Sequence, residues 1–289
     1  MEIEKFDRSW FEGSKTLKDI KDKFGVGQVT IIGGSELFHG APIMALKAAS
    51  RMVGMVYFAS PVEDRGVVDK IKADLSSFVW IPEDELEGYV EKSEAILIGP
   101  GMMRSHTREH GFVCDDEGSR TRKMTVELFK KFSNKKWVVD GGSLQVIALS
   151  DLPKGAIVTP NRKEFEMLFG EKQEDGLEGR GKQIVRLAKE NDLIILTKDE
   201  VSLVSDGKRL VSIEGGCDGL IKGGVGDVIA GVTVGFLAKD TAVESLCFAS
   251  YLIKVAGRNL MKESGLMFNA DDVKKLREET GAGIMECKR

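Results

Sequence analysis

The segment from Ile221 to Leu237, IKGGVGDVIAGVTVGFL, constrains this chain more than any other. Gly223, Gly224 and Gly226 precede Asp227, and an apolar run with helical character follows. Glycines lack a Cβ atom, so consecutive backbone N–H groups can converge on one point, and a helix N-terminus adds unpaired donors and a positive dipole end. The segment therefore predicts a tight glycine turn that opens a buried helix and binds an anion such as phosphate.

Asp227 stands at the mouth of this predicted anion site. A carboxylate in that place can accept a proton from a hydroxyl group that attacks a phosphoryl group. Alternatively, Asp227 is a helix N-cap and the glycines form only a turn. The GGVGD string leaves both interpretations open.

Six segments share one design, an apolar strand that ends in glycine or polar residues. They are QVTIIGGS at 28–35, MVYFAS at 55–60, AILIGPG at 95–101, KWVVDGGS at 136–143, AIVTPN at 156–161 and LIILTK at 193–198. Helical patterns between them predict an α/β fold with a mostly parallel sheet covered on both faces. Ligands of such sheets collect at the carboxyl ends of the strands. We therefore expect one rim to hold Gly33, Gly34, Gly99, Gly101, Asp140, Asn161 and Lys198.

Outside this repeated design the patterns predict further elements. The first 25 residues predict an amphipathic helix, and Asp206 and Gly207 between two alternating runs predict a hairpin. Two more helical patterns follow, at 242–262 and after Asn269. Because neither a repeat nor a linker is evident, residues 1–289 are interpreted as a single domain.

A charged segment at about 102–123 interrupts this domain. His106, His110 and Cys114 fall at helical spacing there and suggest a metal site. An ordered zinc site usually needs four ligands with supporting hydrogen bonds, so we favour a surface insertion near the rim of the active site.

The composition excludes several classes of protein. With 42 basic and 46 acidic residues the net charge is -4, which argues against nucleic-acid binding. No apolar run is long enough for a membrane span, and the charged first 15 residues do not resemble a secretory signal. The four cysteines lack CxxC spacing, which favours reduced thiols and a cytoplasmic location.

A series of motifs in fixed order resembles a known superfamily. GGS, GAP, GPG, VVDGGS, TPNRKEF, LTK and KGGVGD, between about Gly33 and Leu260, resemble the ribokinase-like proteins. More narrowly, they resemble the ADP- or ATP-dependent NAD(P)H-hydrate dehydratases related to the carboxyl-terminal half of YjeF proteins. The resemblance implies a three-layer α/β/α fold. It also implies that ADP or ATP phosphorylates the hydroxyl of hydrated NADH or NADPH, and that phosphate is then eliminated.

The resemblance also implies site residues by their position in the motifs. Asp227 would activate the hydroxyl, and Gly224 and Gly226 would belong to the anion hole together with Gly223. The nucleotide contacts would be Lys198, Asp199, Glu200, Val201, Ser202, Gly223 and Gly226. The contacts with the hydrated dinucleotide would be Ala41, Gly101, Asn161 and Asp227.

The chain departs from the family pattern at three points. Asn161 replaces a histidine that touches substrate, and Asp199 replaces a glycine near the nucleotide. The segment that begins at Asp140 is DGGSL where the family has DADAL or DAGAL. Asn161 and Glu164 also match the NxxE spacing that related kinases use near magnesium, which predicts Glu164 as a ligand of hydrated Mg²⁺. Alternatively, Asn161 simply caps a short helix.

Two other functions remain open at this stage. One is a kinase for a small metabolite, such as a hydroxymethylpyrimidine, a thiazole alcohol or a sugar, which would share the anion hole and the base. The other is a non-catalytic nucleotide sensor, against which the intact GGVGD string argues. The resemblance also suggests a homo-oligomer.

Overall fold

The computed structural model describes residues 2–16, 25–60, 71, 75, 77–104 and 115–274. The strands are β1 Glu4–Lys5, β2 Gln28–Ile32, β3 Met55–Ala59, β4 Val79–Trp80, β5 Ala95–Ile98, β6 Lys136–Val139, β7 Ile157–Val158, β8 Ile194–Thr197, β9 Ser202–Ser205 and β10 Leu210–Ile213. The α-helices are α1 Gly40–Ala49, α2 Leu86–Lys92, α3 Asp115–Lys131, α4 Gly141–Leu144, α5 Arg162–Phe169, α6 Leu177–Asn191, α7 Val225–Leu237, α8 Ala242–Ser264 and α9 Ala270–Val273.

All these strands belong to one sheet with the order β1-β10-β9-β8-β7-β6-β5-β2-β3-β4. Every described pairing is parallel except those of β9 with β8 and with β10. The six strands predicted from the sequence are present, and the hairpin joins β9 to β10 as predicted. The mostly parallel sheet is confirmed.

Alternating strand residues bury opposite faces of the sheet. In β5, Leu97 packs into one hydrophobic cluster, with residues of α1, α7 and α8, whereas Ile96 and Ile98 pack into a second cluster, with residues of α3, α5 and α6. A strand that is buried on both faces reads as a continuous apolar run, which explains AILI in the sequence. Helices on both sides of the sheet give the predicted three-layer α/β/α arrangement. Among the described residues, no helix is both long and apolar enough to cross a membrane.

The expected N-terminal helix is wrong within the described part of that segment. Glu4–Lys5 pairs with β10, and Arg8–Gly13 forms a 3₁₀ helix. The physical reason is aromatic burial, because Phe6 and Phe11 are buried and Phe11 stacks on Phe248 with ring centroids 4.4 Å apart. These contacts fix the segment against α8 and override its weak helical pattern.

The second half of the charged segment belongs to a helix. Asp115–Lys131 is helix α3, so the second half of the proposed insertion at 102–123 is regular structure. His106, His110 and Cys114 lie outside the described residues. The two described cysteines, Cys217 and Cys247, are free thiols.

Close packing of α1 against α7 depends on a glycine. A Cβ atom on Gly231 of α7 would lie 2.3 Å from the carbonyl oxygen of Ala45 in α1. We expect Gly231→Ala to lower the free energy of unfolding by about 1–3 kcal/mol, because the two backbones must separate. Urea unfolding measures this change.

The matched control makes the same substitution in a helix with open space. Nothing lies within 4 Å of a Cβ atom built on Gly88 in α2. Gly88→Ala is therefore expected to stabilise the protein by about 0.5–1 kcal/mol, since alanine loses less backbone entropy in a helix. Equal effects of the two substitutions would contradict the packing argument.

Candidate active site

The loops that follow β2, β5 and β6 pack backbone against backbone at the rim of the sheet. The amide of Gly34 donates to the carbonyl of Pro100 at 2.8 Å, and the amide of Gly142 donates to that of Gly99 at 3.0 Å. Gly99 has φ +116°, and a Cβ atom there would lie 1.8 Å from the carbonyl oxygen of Asp140. Only glycine fits this crossing. The crossing brings Asp140 to the rim.

The glycine turn has the predicted form. Helix α7 begins at Val225, and its N-cap Gly224 has φ 92°, in the left-handed region. A Cβ atom on Gly224 would also lie 2.8 Å from the Cβ of Ala270. Asp227 is the third residue of the helix, so the alternative that it acts as the N-cap is wrong. The first amides of α7 have no acceptor within the helix and form the positive end of its dipole.

Four charged side chains from four elements meet beside this turn. The Lys198 Nζ lies 3.4 Å from Oδ1 of Asp140. The same Nζ would lie 3.2 Å from a Cβ atom on Gly226, so the ammonium group faces the glycine turn. Asp227 and Glu164 are close enough to interact electrostatically with both Asp140 and Lys198. The charges of three carboxylates and one ammonium group therefore influence one another at this rim.

Burial and charge raise two of these pKa values. Burial, and then the negative charge of Asp140, raise the pKa of Asp227 to about 7, whereas Lys198 opposes the shift and Glu164 adds to it. Burial is also the main cause that raises the pKa of Glu164, followed by Asp140. A carboxylate with a pKa near 7 can gain and lose a proton at neutral pH, which general-base catalysis requires.

Asn161 and Glu164 form a capping box at the start of α5. Oδ1 of Asn161 accepts from the amides of Lys163 at 2.9 Å and Glu164 at 3.0 Å, and Oε2 of Glu164 accepts from the amide of Asn161 at 2.8 Å. Oε1 of Glu164 accepts from Nε2 of Gln145 at 3.1 Å. The capping interpretation of the NxxE spacing is therefore confirmed. Glu164 is buried, and the charge of Asp140 acts on it.

The segment Lys198 to Ser202 connects β8 to β9 at this same rim. Its Asp199 carboxylate points toward two arginines, at 2.9 Å from Nη1 of Arg180 and 3.1 Å from Nη2 of Arg162. The extra negative charge that the sequence places here is thus balanced by cations within the protein.

Of the other predicted substrate contacts, Ala41 lies at the start of α1 and Gly101 lies in the loop after β5. A Cβ atom on Gly101 would be 3.4 Å from the Cβ of Ala41, so these two residues are neighbours. Met44, one turn further along α1, would contact a Cβ atom on Gly224 at 3.7 Å. Helix α1 therefore links the loop after β5 to the glycine turn.

Asp140 was expected at the rim of the sheet but not as a site residue. Thr159 and Gln145 were not predicted from the sequence. Oγ1 of Thr159 donates to Oδ1 of Asp140 at 2.7 Å, and Gln145 contacts Glu164. The available signal was the polar residue directly after each buried strand, in VVD and IVT. The contacts among them depend on strand order, which the sequence pattern does not contain.

The described residues contain no group of three or more His, Cys, Asp or Glu side chains arranged to hold a metal ion. A cavity of about 790 Å³ opens elsewhere along the rim, beside Gly34, Ser35 and Met102. Its lining includes Glu36, Glu83, Asp84, Glu87, Glu117 and Glu127, together with Arg120 and Lys123. The negative charges of these carboxylates repel phosphate groups.

Comparison with known proteins agrees with this geometry. Residues 29–278 match the family model described as NAD(P)H-hydrate dehydratase. The ADP-dependent (S)-NAD(P)H-hydrate dehydratase of Cenarchaeum symbiosum is 32% identical over 255 residues, which are 86% of this chain and 86% of that protein. The chain also spans about half the length of curated bifunctional NAD(P)H-hydrate repair enzymes.

Solved structures share the fold at lower identity. A ribokinase-like superfamily protein from Enterococcus faecalis has a TM-score of 0.78 and 21% identity, with 95% of this chain and 94% of that chain covered. The ADP/ATP-dependent NAD(P)H-hydrate dehydratase of Bacillus subtilis, co-crystallized with ATP/Mg²⁺ and soaked with CoA, has a TM-score of 0.74 and 16% identity, with 96% and 98% covered.

Fold and site together define an α/β protein with a ribokinase-like fold and a glycine turn at the carboxyl edge of its sheet. Within that class, the chain belongs to the NAD(P)H-hydrate dehydratase family. The family resemblance noted from the sequence motifs is confirmed.

Proposed function

We propose that this protein uses ADP or ATP to dehydrate hydrated NADH or NADPH. The observation that supports this most is the convergence of a helix N-terminus, the Lys198 ammonium group and the Asp227 carboxylate on one rim. The first two stabilise negative charge on a phosphoryl group, and the third can accept a proton. Membership of the family supplies the substrate class, and the relative from Cenarchaeum symbiosum favours ADP as the donor.

The proposed reaction has two steps. The hydroxyl oxygen of the hydrated ring attacks the terminal phosphorus of the nucleotide while its proton moves to a carboxylate oxygen of Asp227. The new O–P bond replaces the bond to the nucleotide, which leaves as AMP from ADP or as ADP from ATP. The ring C–O bond then breaks, phosphate departs with that oxygen, and loss of a ring proton restores the double bond.

Different residues bind the phosphoryl group, the nucleotide and the hydrated dinucleotide in this proposal. The amides of Gly224 and Gly226 would bind the migrating phosphoryl group, and Lys198 would balance its charge. The nucleotide would lie along Lys198 to Ser202, with Gly223 and Gly226 beside its phosphates. The hydrated dinucleotide would contact Ala41, Gly101 and Asn161. Preorganised donors of this kind do not have to reorient during the reaction, which is why they accelerate it.

The carboxylates also fit a magnesium ion. Mg²⁺ prefers oxygen ligands, keeps several of its waters, and is commonly held by one or two carboxylates together with substrate phosphates. Asp140 and Glu164 provide such oxygens, and burial together with their mutual repulsion raises the pKa of Glu164, as expected of carboxyl groups that a cation would relieve. Bound there, Mg²⁺ would neutralise phosphate charge.

The deciding assay mixes the protein with hydrated NADH and either ADP or ATP. Return of the absorbance of the reduced nicotinamide, with equimolar release of inorganic phosphate, supports dehydration. Phosphorylation of a hydroxymethylpyrimidine, a thiazole alcohol or a sugar, without absorbance recovery from hydrated NADH, would instead indicate a small-metabolite kinase. Binding of nucleotide without phosphate transfer to hydrated NADH, a hydroxymethylpyrimidine, a thiazole alcohol or a sugar would indicate a sensor.

The raised pKa of Asp227 predicts an acid limb in the pH profile. Only the deprotonated carboxylate accepts a proton, so we expect kcat/KM to rise about tenfold per pH unit up to about pH 7 and then level off. Initial rates measured at about eight pH values between pH 5 and pH 9 would define the acid limb of kcat/KM. A flat profile down to pH 5 would contradict the assignment of Asp227 as the base.

A further inference from the structure

The segment Lys198 to Ser202 is held from beneath by a lysine of helix α8. Lys254 is 3% exposed. Its Nζ donates to the carbonyl oxygens of Asp199 at 2.8 Å and Glu200 at 2.6 Å. The amide of Gly216 donates to the same Glu200 carbonyl at 3.0 Å. Two successive carbonyls of this connection are thus satisfied by groups outside it.

Cations also bind the Asp199 side chain and the Val201 carbonyl. Arg180, which is 5% exposed, forms an ion pair with Asp199 at 2.9 Å, and its Nη2 donates to the carbonyl of Val201 at 3.0 Å. Arg162 of α5 reaches the same carboxylate at 3.1 Å. Cations from three helices therefore fix three consecutive residues, Asp199, Glu200 and Val201.

The direction of the carbonyls fixes the direction of the amides. In a trans peptide the N–H points opposite to the C=O. When Lys254 draws the carbonyl of Glu200 toward α8, the amide of Val201 turns away from α8. The conformation of this connection, and with it the direction of its donors, thus depends on a residue that lies in a different element.

Burial of the charged Lys254 side chain costs free energy. Burial lowers the pKa of this lysine to about 8, against the attraction of Asp199 and Glu200, while Arg258 and Arg180 lower it further. Its two acceptors are neutral carbonyls, and a methionine would fill a similar volume without burying charge. Methionine would leave the carbonyls of Asp199 and Glu200 without this donor, so the substitution removes the contact that fixes them.

We propose that Lys254 is a positioning residue for nucleotide binding, which acts by holding the carbonyls of Asp199 and Glu200. This inference rests on the proposed function, since it assumes that Lys198 to Ser202 contacts the nucleotide. Lys254 does not touch the reacting atoms. It sets the conformation that the nucleotide meets.

The test compares Lys254→Met with wild type by calorimetric titration with ADP and by steady-state kinetics. We expect the Kd and the KM for ADP to rise about tenfold, which corresponds to the loss of charged hydrogen bonds. At saturating ADP, kcat and the KM for hydrated NADH should change less than twofold. Hydrogen exchange should also become faster in peptides that cover 198–202.

The matched control is Lys262→Met, which removes an exposed lysine from the same helix and should leave all these values unchanged. Gly216→Ala should disturb the same contact without changing Lys254. Its Cβ would lie 2.8 Å from Cα of Glu200 and 3.1 Å from Nζ of Lys254. It should also weaken ADP binding, and it keeps the proposal testable if Lys254→Met does not fold.

The possible outcomes separate the two proposals. If wild type binds ADP and Lys254→Met binds it equally tightly, with unchanged hydrogen exchange, the positioning role is wrong and the proposed function stands. If kcat falls while the KM for ADP is unchanged, the positioning role is also wrong. If wild type binds neither ADP nor ATP, both proposals fail.

Discussion

Replacement of Asp227 by asparagine is expected to lower kcat by at least about 100-fold and to leave a folded protein that still binds nucleotide. Asparagine keeps the size of the side chain but cannot accept the proton of the attacking hydroxyl. The glycine amides and Lys198 are unaltered in this variant, so the nucleotide phosphates keep their partners. Steady-state rates with hydrated NADH, together with calorimetric titration of ADP, measure the two effects.

The same variant should be more stable than wild type above pH 7. The pKa of Asp227 is raised from its usual 3.8 to about 7, so the folded state disfavours the carboxylate. The penalty is absent below pH 3.8, grows as pH rises, and is complete above about pH 7. At pH 8 we expect Asp227→Asn to raise the free energy of unfolding by on the order of 2–4 kcal/mol, from the size of the shift.

Asp218→Asn is the control, because Asp218 is exposed and precedes the same glycine turn. It should change neither turnover nor the free energy of unfolding by a measurable amount. Near-normal turnover of Asp227→Asn would remove this residue from the mechanism. Equal stability of wild type and Asp227→Asn at pH 8 would show that the carboxylate is not held in an unfavourable environment.

Replacement of Lys198 by methionine is expected to lower kcat by about 100-fold as well, because the migrating phosphoryl group loses a preorganised cation. The substitution also has an electrostatic signature. Lys198 lowers the pKa values of Asp227 and Glu164, and its Nζ lies 3.4 Å from Oδ1 of Asp140. Without it, the pKa of Asp227 should rise further above about 7, and the acid limb of kcat/KM should move to higher pH.

Lys208→Met, in the exposed turn of the β9–β10 hairpin, serves as the control and should leave the pH profile unchanged. Lys198→Met is also expected to lose stability, since Asp140 remains buried with Thr159 as a hydrogen-bond donor at 2.7 Å. Unfolding curves at each pH separate this loss from the kinetic effect. A wild-type acid limb in Lys198→Met would contradict the proposed coupling.

Local sequence patterns predicted much of the fold. Strands buried on both faces read as apolar runs such as AILI, and each ended where glycine or a polar residue began. The Asp206-Gly207 hairpin and the glycine turn before α7 also follow from the conformations that these residues favour. The family resemblance used the order of the motifs and was confirmed by the match over residues 29–278.

Local patterns failed where a long-range contact decided the structure. The first residues have a weak helical pattern, yet Phe6 and Phe11 hold them against α8 as a short strand and a 3₁₀ helix. The segment 102–123 was interpreted as a charged surface insertion, and its second half belongs to the helix Asp115–Lys131, which has an apolar face. In the N-terminal segment, hydrophobic burial against a distant element outweighed local propensity.

The sequence by itself determined the glycine turn, the helix that it opens and the polar residues at the strand ends, because each depends on neighbours within a few positions. Only the tertiary structure decided which of those polar residues meet. Strand order places Asp140, Glu164, Lys198 and Asp227 together, and it directs Asp199 to Arg162 and Arg180 instead of to open solvent. Electrostatic energy depends on distance in space. The raised pKa of Asp227 is therefore a property of the folded chain.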